Sequence, residues 1–334
     1  MSNPSIDSAA DAAIDPEVAQ WVELLRSPDL NDRLVAAKSL QHLGDEDAID
    51  SLIAALKDDS PLVQEIAVTA LWEIANPVAI PALLSCLSSA HTEAVRTESL
   101  SALKELIAPD DLLTLLDAIQ IEDEQVQLNV LILLRKIHDA QALPYILPFF
   151  ESAQPQLREA AVVTLRYLNQ VVRCEPALVL AKDPVEDVRR SAVLTLGHLS
   201  DADVIPLLCS TLITDEDWQV RRNAAQALDL HATPVAATTL TDALNDDHWQ
   251  VRKFAVRALQ KVATDAAIPN LIKALSDEYS DVRRDAAIAL GNLGNPDVLP
   301  ALQQTLDDPD RDVQIFSGRA IQQIKDSLAE PSNA

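Results

Sequence analysis

Glycine is scarce in this chain, with 5 in 334 residues, and aromatic residues make up only 3% of it. Hydrophobic residues still reach 48%, so the apolar mass is almost entirely alanine, leucine, valine and isoleucine. A β-rich fold draws on more aromatics and more turn glycines. A phosphate-cradling α/β fold needs a glycine-rich loop, and neither GxGxxG nor GxxxxGK(S/T) occurs. What is left is the composition of an all-helical chain. Cysteine is sparse too: Cys86, Cys174 and Cys209 lie far apart with no CxxC, which excludes a disulfide framework and a zinc knuckle and fits a reducing compartment. Positive charge is in deficit, 26 Lys and Arg against 52 Asp and Glu, for a net charge of −26 with histidine neutral. A duplex-binding protein needs a basic footprint, and anionic membrane surfaces repel the same charge, so nucleic acid is not expected as a ligand. No apolar run approaches the ~18 residues of a membrane span. The segment from Met1 to Pro16 lacks the basic and apolar regions of a signal peptide. A cytoplasmic protein without membrane insertion is expected.

What is abundant is self-similarity. DVRRSAVLTL at 187–196 returns as QVRRNAAQAL at 219–228, QVRKFAVRAL at 250–259 and DVRRDAAIAL at 281–290. Weaker copies begin at Val63, Val95, Val126, Leu157 and Val313, with a degenerate one around Asp32. The anchors at 32, 63, 95, 126, 157, 188, 220, 251, 282 and 313 are spaced by 31 or 32 residues throughout. We number these repeats 1 to 10.

Each unit reads as two helices. In repeat 9, Pro269 falls in the first turn of the first helix, where a missing N–H costs nothing; Pro81, Pro144, Pro206 and Pro300 are its equivalents. Ile268, Leu271, Ile272 and Leu275 form an apolar stripe at i, i+3, i+4, i+7. The acidic turn at 276–281 follows, then a second helix with Val282, Ala286, Ala289 and Leu290 on one face, ending at Gly291 or Gly294. Neither helix can bury its stripe alone, so stacked units must share a continuous core. The arginine after each anchor (Arg96, Arg158, Arg189, Arg221, Arg252, Arg283) is expected to reach a turn aspartate such as Asp187, Asp215 or Asp281 and to build an ion-pair ladder.

These strings resemble HEAT repeats, which carry proline in the first helix and D-V-R-x-x-A-x-x-A-L in the second. Typical HEAT units run ~40–47 residues. The shorter period here is similar to the HEAT-like repeats of the bilin-lyase family, which attaches phycobilin chromophores to light-harvesting antenna proteins. The resemblance spans about 17–328. Family lyases show D-x-W-x-V-R-Y-A. Residues 217–224 (DWQVRRNA) and 248–255 (HWQVRKFA) keep the tryptophan and the Val-Arg and lack the tyrosine. The repeat and the resemblance together imply an all-α, right-handed α-solenoid of about ten two-helix repeats over 16–328, and the tails at 1–15 and 329–334, polar and rich in Ser, Asn, Asp and Ala, are expected to be disordered. It also implies, as the alternative function, a phycobilin lyase or bilin-chaperone subunit with phycobilin as its ligand. The repeat resembles deoxyhypusine hydroxylase as well, whose His-Glu pairs bind two irons, but no His-Glu dipeptide occurs and His91-Thr92-Glu93 is the nearest string. No Ser/His/Asp or Cys/His set stands out. Neither a catalytic residue nor a metal or other cofactor is expected.

The leading reading is a non-catalytic scaffold, a monomer or half of a heterodimer, that binds another protein through its concave face and inter-helix turns. Two residues past the anchor stand Arg190, Arg222, Lys253 and Arg284, where earlier repeats carry Leu34, Glu65, Thr97, Leu128 and Glu159. These four cations either pair with aspartates of neighbouring turns or form a stripe for an acidic partner. Trp218 and Trp249 share one slot, two before the anchor valine, and Tyr279 lies one residue earlier in the next unit. Either each ring covers the end of its own repeat, or the three are interface anchors. His42, His138, His198 and His231 fall at helix ends, and all three cysteines in or near first helices; these read as structural.

Overall fold

A computed structural model describes residues 14–89 and 91–329. These residues are helical and irregular, with no strand among them, and they follow the ten-repeat plan of an α-solenoid. The chain forms two compact units, Met1–Tyr145 and Ile146–Ala334. The first holds repeats 1–4, with second helices Leu30–Leu43, Pro61–Ile74, Glu93–Leu106 and Glu124–Ile137. Repeats 5–10 belong to the second, with second helices Pro155–Leu165, Glu186–Leu196, Trp218–His231, Trp249–Val262, Ser280–Leu293 and Arg311–Ala329. The tails expected to be disordered fall almost wholly on 1–13 and 330–334, outside the described residues.

Local chemistry sets the helix limits. Asp29, Asp123 and Asp217 cap second helices by accepting backbone N–H bonds through their carboxylates. Pro61 and Pro155 open theirs at the first position. At the far end, the left-handed cap of repeat 9 is Gly294 (φ 68°), not Gly291. Gly291 stays helical, and a Cβ there would meet the Ala320 Cβ at 2.8 Å, so its role is close packing on repeat 10. Glycine is not required at this cap, because Ala75, His138 and Ala232 take the same conformation at φ 58°, 59° and 45°.

Within each unit the second helices pack on their neighbours and the first helices close the other side. Val282, Ala286, Ala289 and Leu290 are fully buried, as their spacing predicts. The first-helix stripe is shallower, with Leu271 and Leu275 buried and Ile268 and Ile272 only half-buried. Alanine on the second helices lets their backbones approach closely.

The expected arginine ladder exists, with a correction to its partners. Arg158, Arg189, Arg221, Arg252 and Arg283 each grip one aspartate of the following repeat, namely Asp183, Asp215, Asp246, Asp277 and Asp308. For Arg221 the Nε donates to Asp246 at 2.7 Å and Nη2 at 3.0 Å, while Nη1 donates to the carbonyls of Asp215 and Glu216 in its own turn. The carboxylate also accepts the His248 N–H at 2.8 Å. One clamp thus ties a helix, its own turn and the next turn together. Asp187 and Asp281, expected in this ladder, stand in the first turn of their second helices and pair instead with the adjacent column of cations. Arg96 has no clamp aspartate among the described residues and donates to the His91 carbonyl. Arg33, not among the expected rungs, clamps Asp58 at 2.7 Å.

Candidate functional site

The four cations two residues past the anchor sit side by side on successive second helices of the second unit, and three of them are neutralised. Arg190 pairs with Asp187 at 2.7 Å and, across to repeat 7, with Asp217. Lys253 reaches Asp281 of repeat 9 at 2.5 Å. Arg284 bonds Asp281 at 2.9 Å and Asp285 at 3.0 Å. Arg222 has no carboxylate in contact among the described residues; its Nε and Nη2 donate to the amide oxygen of Asn223 at 3.0 and 2.8 Å. The ionisation of the group follows this pattern. Arg190 holds Asp217 below the usual carboxylate range, and Lys253 does the same for Asp281. Burial, reinforced by Arg190, pushes Arg222 below the ordinary arginine value. Asp285, buried, is pushed up despite Arg284 beside it.

The rings form one continuous column across the turns of repeats 7, 8 and 9. Trp218 stacks on His248 with centroids 3.5 Å apart and planes 16° apart. His248 lies 6.5 Å from Trp249, and Trp249 stacks on Tyr279 at 4.7 Å and 12°. Arg222 faces the Trp218 ring at 5.6 Å and Lys253 faces Trp249 at 5.8 Å, within cation–π reach. Trp218, His248 and Trp249 are half-buried and Tyr279 is exposed. Each ring therefore lies over a neighbouring repeat as well as its own.

Two members of this face escaped the sequence reading. His248 takes the N-cap place that Asp217 holds one repeat earlier, and its Nδ1 accepts the Gln250 N–H at 3.3 Å. Its signal was the shared slot: a ring replacing an aspartate directly before Trp249. Burial, together with Arg221, Arg252 and Arg222, outweighs Asp246 and lowers its pKa. Asn223 carried no signal at all without knowledge of which way its side chain turns. Elsewhere, Cys86 and Cys174 are buried and Cys209 half-buried, each thiol pushed up by burial. No group of side chains among the described residues could hold a metal ion, and no described helix is long and apolar enough to cross a membrane. In the first unit the corresponding helix face carries opposite charge. A groove of about 650 Å³ there is lined by Glu65, Thr69, Glu93, Ala94, Thr97 and Glu98.

Known proteins place the chain by family and by fold. The family model described as HEAT repeats matches residues 18–104, 174–253 and 238–322, well over half of the chain. No curated protein matches it, and the bilin-lyase subgroup is not singled out. Among solved structures, an engineered protein is similar at 22% identity and a TM-score of 0.55, covering 93% of this chain and 99% of its own. Kap95p, in a structure titled for its binding to RanGDP, is similar at 16% identity and a TM-score of 0.60, over 95% of this chain. Kap95 in a complex with Nup1 gives 15% and 0.59 over 94%. This chain covers 52% of the length of Kap95 in either structure. At these identities the likeness is one of fold.

Proposed function

The chain belongs to the HEAT repeat family, and we propose that within it this protein is a non-catalytic scaffold that binds another protein. The binding surface is the second-helix face, concave in a stacked solenoid, with the adjoining turns of repeats 6–9. The column Trp218–His248–Trp249–Tyr279 carries this reading. The core of repeats 7–9 is closed without it, by buried Val220, Ala224, Leu228, Val251, Leu259, Val282 and Leu290. Three of the chain's 11 aromatic residues are instead spent on one partly exposed column. Tryptophan and tyrosine beside arginine are the residue types that dominate interface energetics. The Kap95 structures, titled for protein partners, lend support at the level of fold.

The test is site-directed photo-cross-linking in the native host, with the photoreactive residue at Gln250 on this face or at Val179 on a first-helix surface. One discrete adduct from Gln250, absent from Val179 and lost in the Trp218→Ala/Trp249→Ala double variant, is the expected result. Adducts from Val179 alone would move the interface elsewhere. Covalent transfer of phycocyanobilin to an apo-phycobiliprotein by the purified protein would replace the scaffold with a chromophore lyase.

A further inference from the structure

We propose that Arg222 is the single anion-receiving centre of this face, and that it takes an isolated carboxylate from a partner segment whose flanking side chains are apolar or aromatic. The inference rests on the protein-binding reading above and names the chemistry of the partner.

The repeat register supplies the argument. A cation two residues past the anchor can be neutralised from three places. One is three residues earlier on its own helix, as Asp187 does for Arg190 and Asp281 for Arg284. The second is the next residue, as Asp285 does for Arg284. The third is the start of the next second helix, as Asp217 does for Arg190 and Asp281 for Lys253. Around Arg222 those places hold Gln219, Asn223 and, in the register positions of Asp217 and Asp281, His248 and Gln250, none of them acidic. Asn223 and Asp285 hold their arginines in the same way, each accepting Nε at 3.0 Å. One is a neutral amide and the other a carboxylate, so the guanidinium of repeat 7 is fixed as firmly but keeps its charge uncompensated.

It is also pre-organised. Asn223 is 2% exposed, and its Nδ2 donates to the Arg190 carbonyl at 3.1 Å, which fixes its oxygen toward Arg222. The guanidinium rests on Trp218. Both N–H groups of Nη1 have no acceptor among the described residues. A planar guanidinium with its orientation already set loses little freedom on receiving a carboxylate, and half-burial strengthens the resulting charge-assisted bond. One uncompensated cation matches one carboxylate. A polyanion would bring further charges against a region, 181–290, that itself carries 17 acidic side chains. The exposed edges of the ring column beside Arg222 take the apolar flanks of the same segment.

The experiment uses the full-length protein labelled with 15N-arginine and titrated with phenylacetate, a carboxylate attached to a ring. Saturable shifts of the Arg222 side-chain resonances are expected, without comparable shifts at Arg190 or Arg284. Acetate should bind more weakly, and the uncharged 2-phenylethanol should leave those resonances in place. Loss of a charge-assisted bond corresponds to about ten-fold or more in affinity, and that is the loss expected in Arg222→Gln. Asn223→Asp should do the same by recreating the internal pairing of repeat 9, a substitution that the buried Asp285 shows the site can hold. Unshifted Arg222 resonances, or equal shifts at all three arginines, would overturn the proposal. So would saturation by inorganic phosphate at lower concentration than phenylacetate, which would point to a phosphorylated partner. If phenylacetate fails while the Gln250 adduct still forms, this inference falls and the scaffold stands. If Gln250 gives no adduct while Arg222 responds, the reverse holds.

Discussion

Repeats 5–9 of the second unit carry five consecutive bidentate clamps, from Arg158–Asp183 to Arg283–Asp308, where the described residues of the first unit carry one, Arg33–Asp58. In repeats 2–4 the clamp position is Gln64, Arg96 and Gln127. Each still reaches a carbonyl of its own turn: Asp58 at 2.5 Å for Gln64, His91 for Arg96 and Ile121 at 3.0 Å for Gln127. Five residues before the anchor, where the clamp aspartate would be, the sequence of repeats 3, 4 and 5 has Ala90, Ile121 and Ser152. Closing a turn therefore needs only one side-chain N–H, and a neutral amide suffices. Linking one repeat to the next by charge needs both the arginine and the aspartate; repeats 2 and 4 carry Gln64 and Gln127 in place of the arginine, and repeat 3 keeps Arg96 without its aspartate. The second unit is joined by apolar packing plus ion pairs, and the first relies far more on packing.

The largest effect tests what the units share. Leu71→Ala in the first unit and Leu290→Ala in the second both remove fully buried side chains and should each cost about 2–5 kcal/mol. In a stack where repeats contact mainly their neighbours, calorimetry should show each substitution lowering the transition of its own unit. Equal lowering of one common transition by both would show that the units unfold together. Next in size is the clamp. Arg221→Ala strands Asp246 and should cost about 3 kcal/mol, against about 1 kcal/mol for Gln64→Ala. Transplanting the neutral arrangement as Arg221→Gln with Asp246→Ser should recover most of that loss, and denaturant titration of the double-mutant cycle measures the recovery. No recovery would mean that the ion pair, not the turn contact, is what the second unit depends on.

Acid should separate the units further. In the second unit Arg158, against the opposing effect of burial, holds Asp183 below its usual range, and Arg283 does so for Asp308. A depressed folded-state pKa contributes stability that is complete above about pH 4 and is lost as pH falls through the lower folded value. Asp217 and Asp281 act in the same sense, while Asp285, pushed up, acts in the opposite one. In the first unit Asp123 is held low, where bonds from Ser89, Val126 and Ser88 outweigh its burial. The transition of the second unit should fall more steeply between about pH 5 and pH 2, and thermal melts across that range give the two slopes. The smallest stability effect belongs to the ring column. Trp218→Ala removes a stacked pair worth about 0.5–1.5 kcal/mol, so it should shift the melting of the second unit little while speeding dissociation of the non-covalent complex with the partner that the adduct identifies. A shift as large as that of Leu290→Ala would make the ring part of the core.

The sequence alone determined the period, the helix pairs, the buried Val282-Ala286-Ala289-Leu290 face and the existence of an arginine ladder, because each depends on spacing along one helix or on a string repeated at constant interval. Which aspartate meets which arginine was decided only by the stacking of one repeat on the next. Asp215 and Asp187 are equally plausible partners for Arg189 on paper, but the stack brings the turn of the next repeat to its guanidinium and turns Asp187 toward Arg190. Four aligned cations likewise look equivalent as a column of letters. The tertiary structure separates them, because neutralisation depends on the start of the next second helix, Asp217 for Arg190 and Asp281 for Lys253, and in those register positions beyond Arg222 stand His248 and Gln250. The same stacking brings His248 between two tryptophans. A residue's charge and ring are written in the chain, but what faces them is set by the packing of neighbouring repeats.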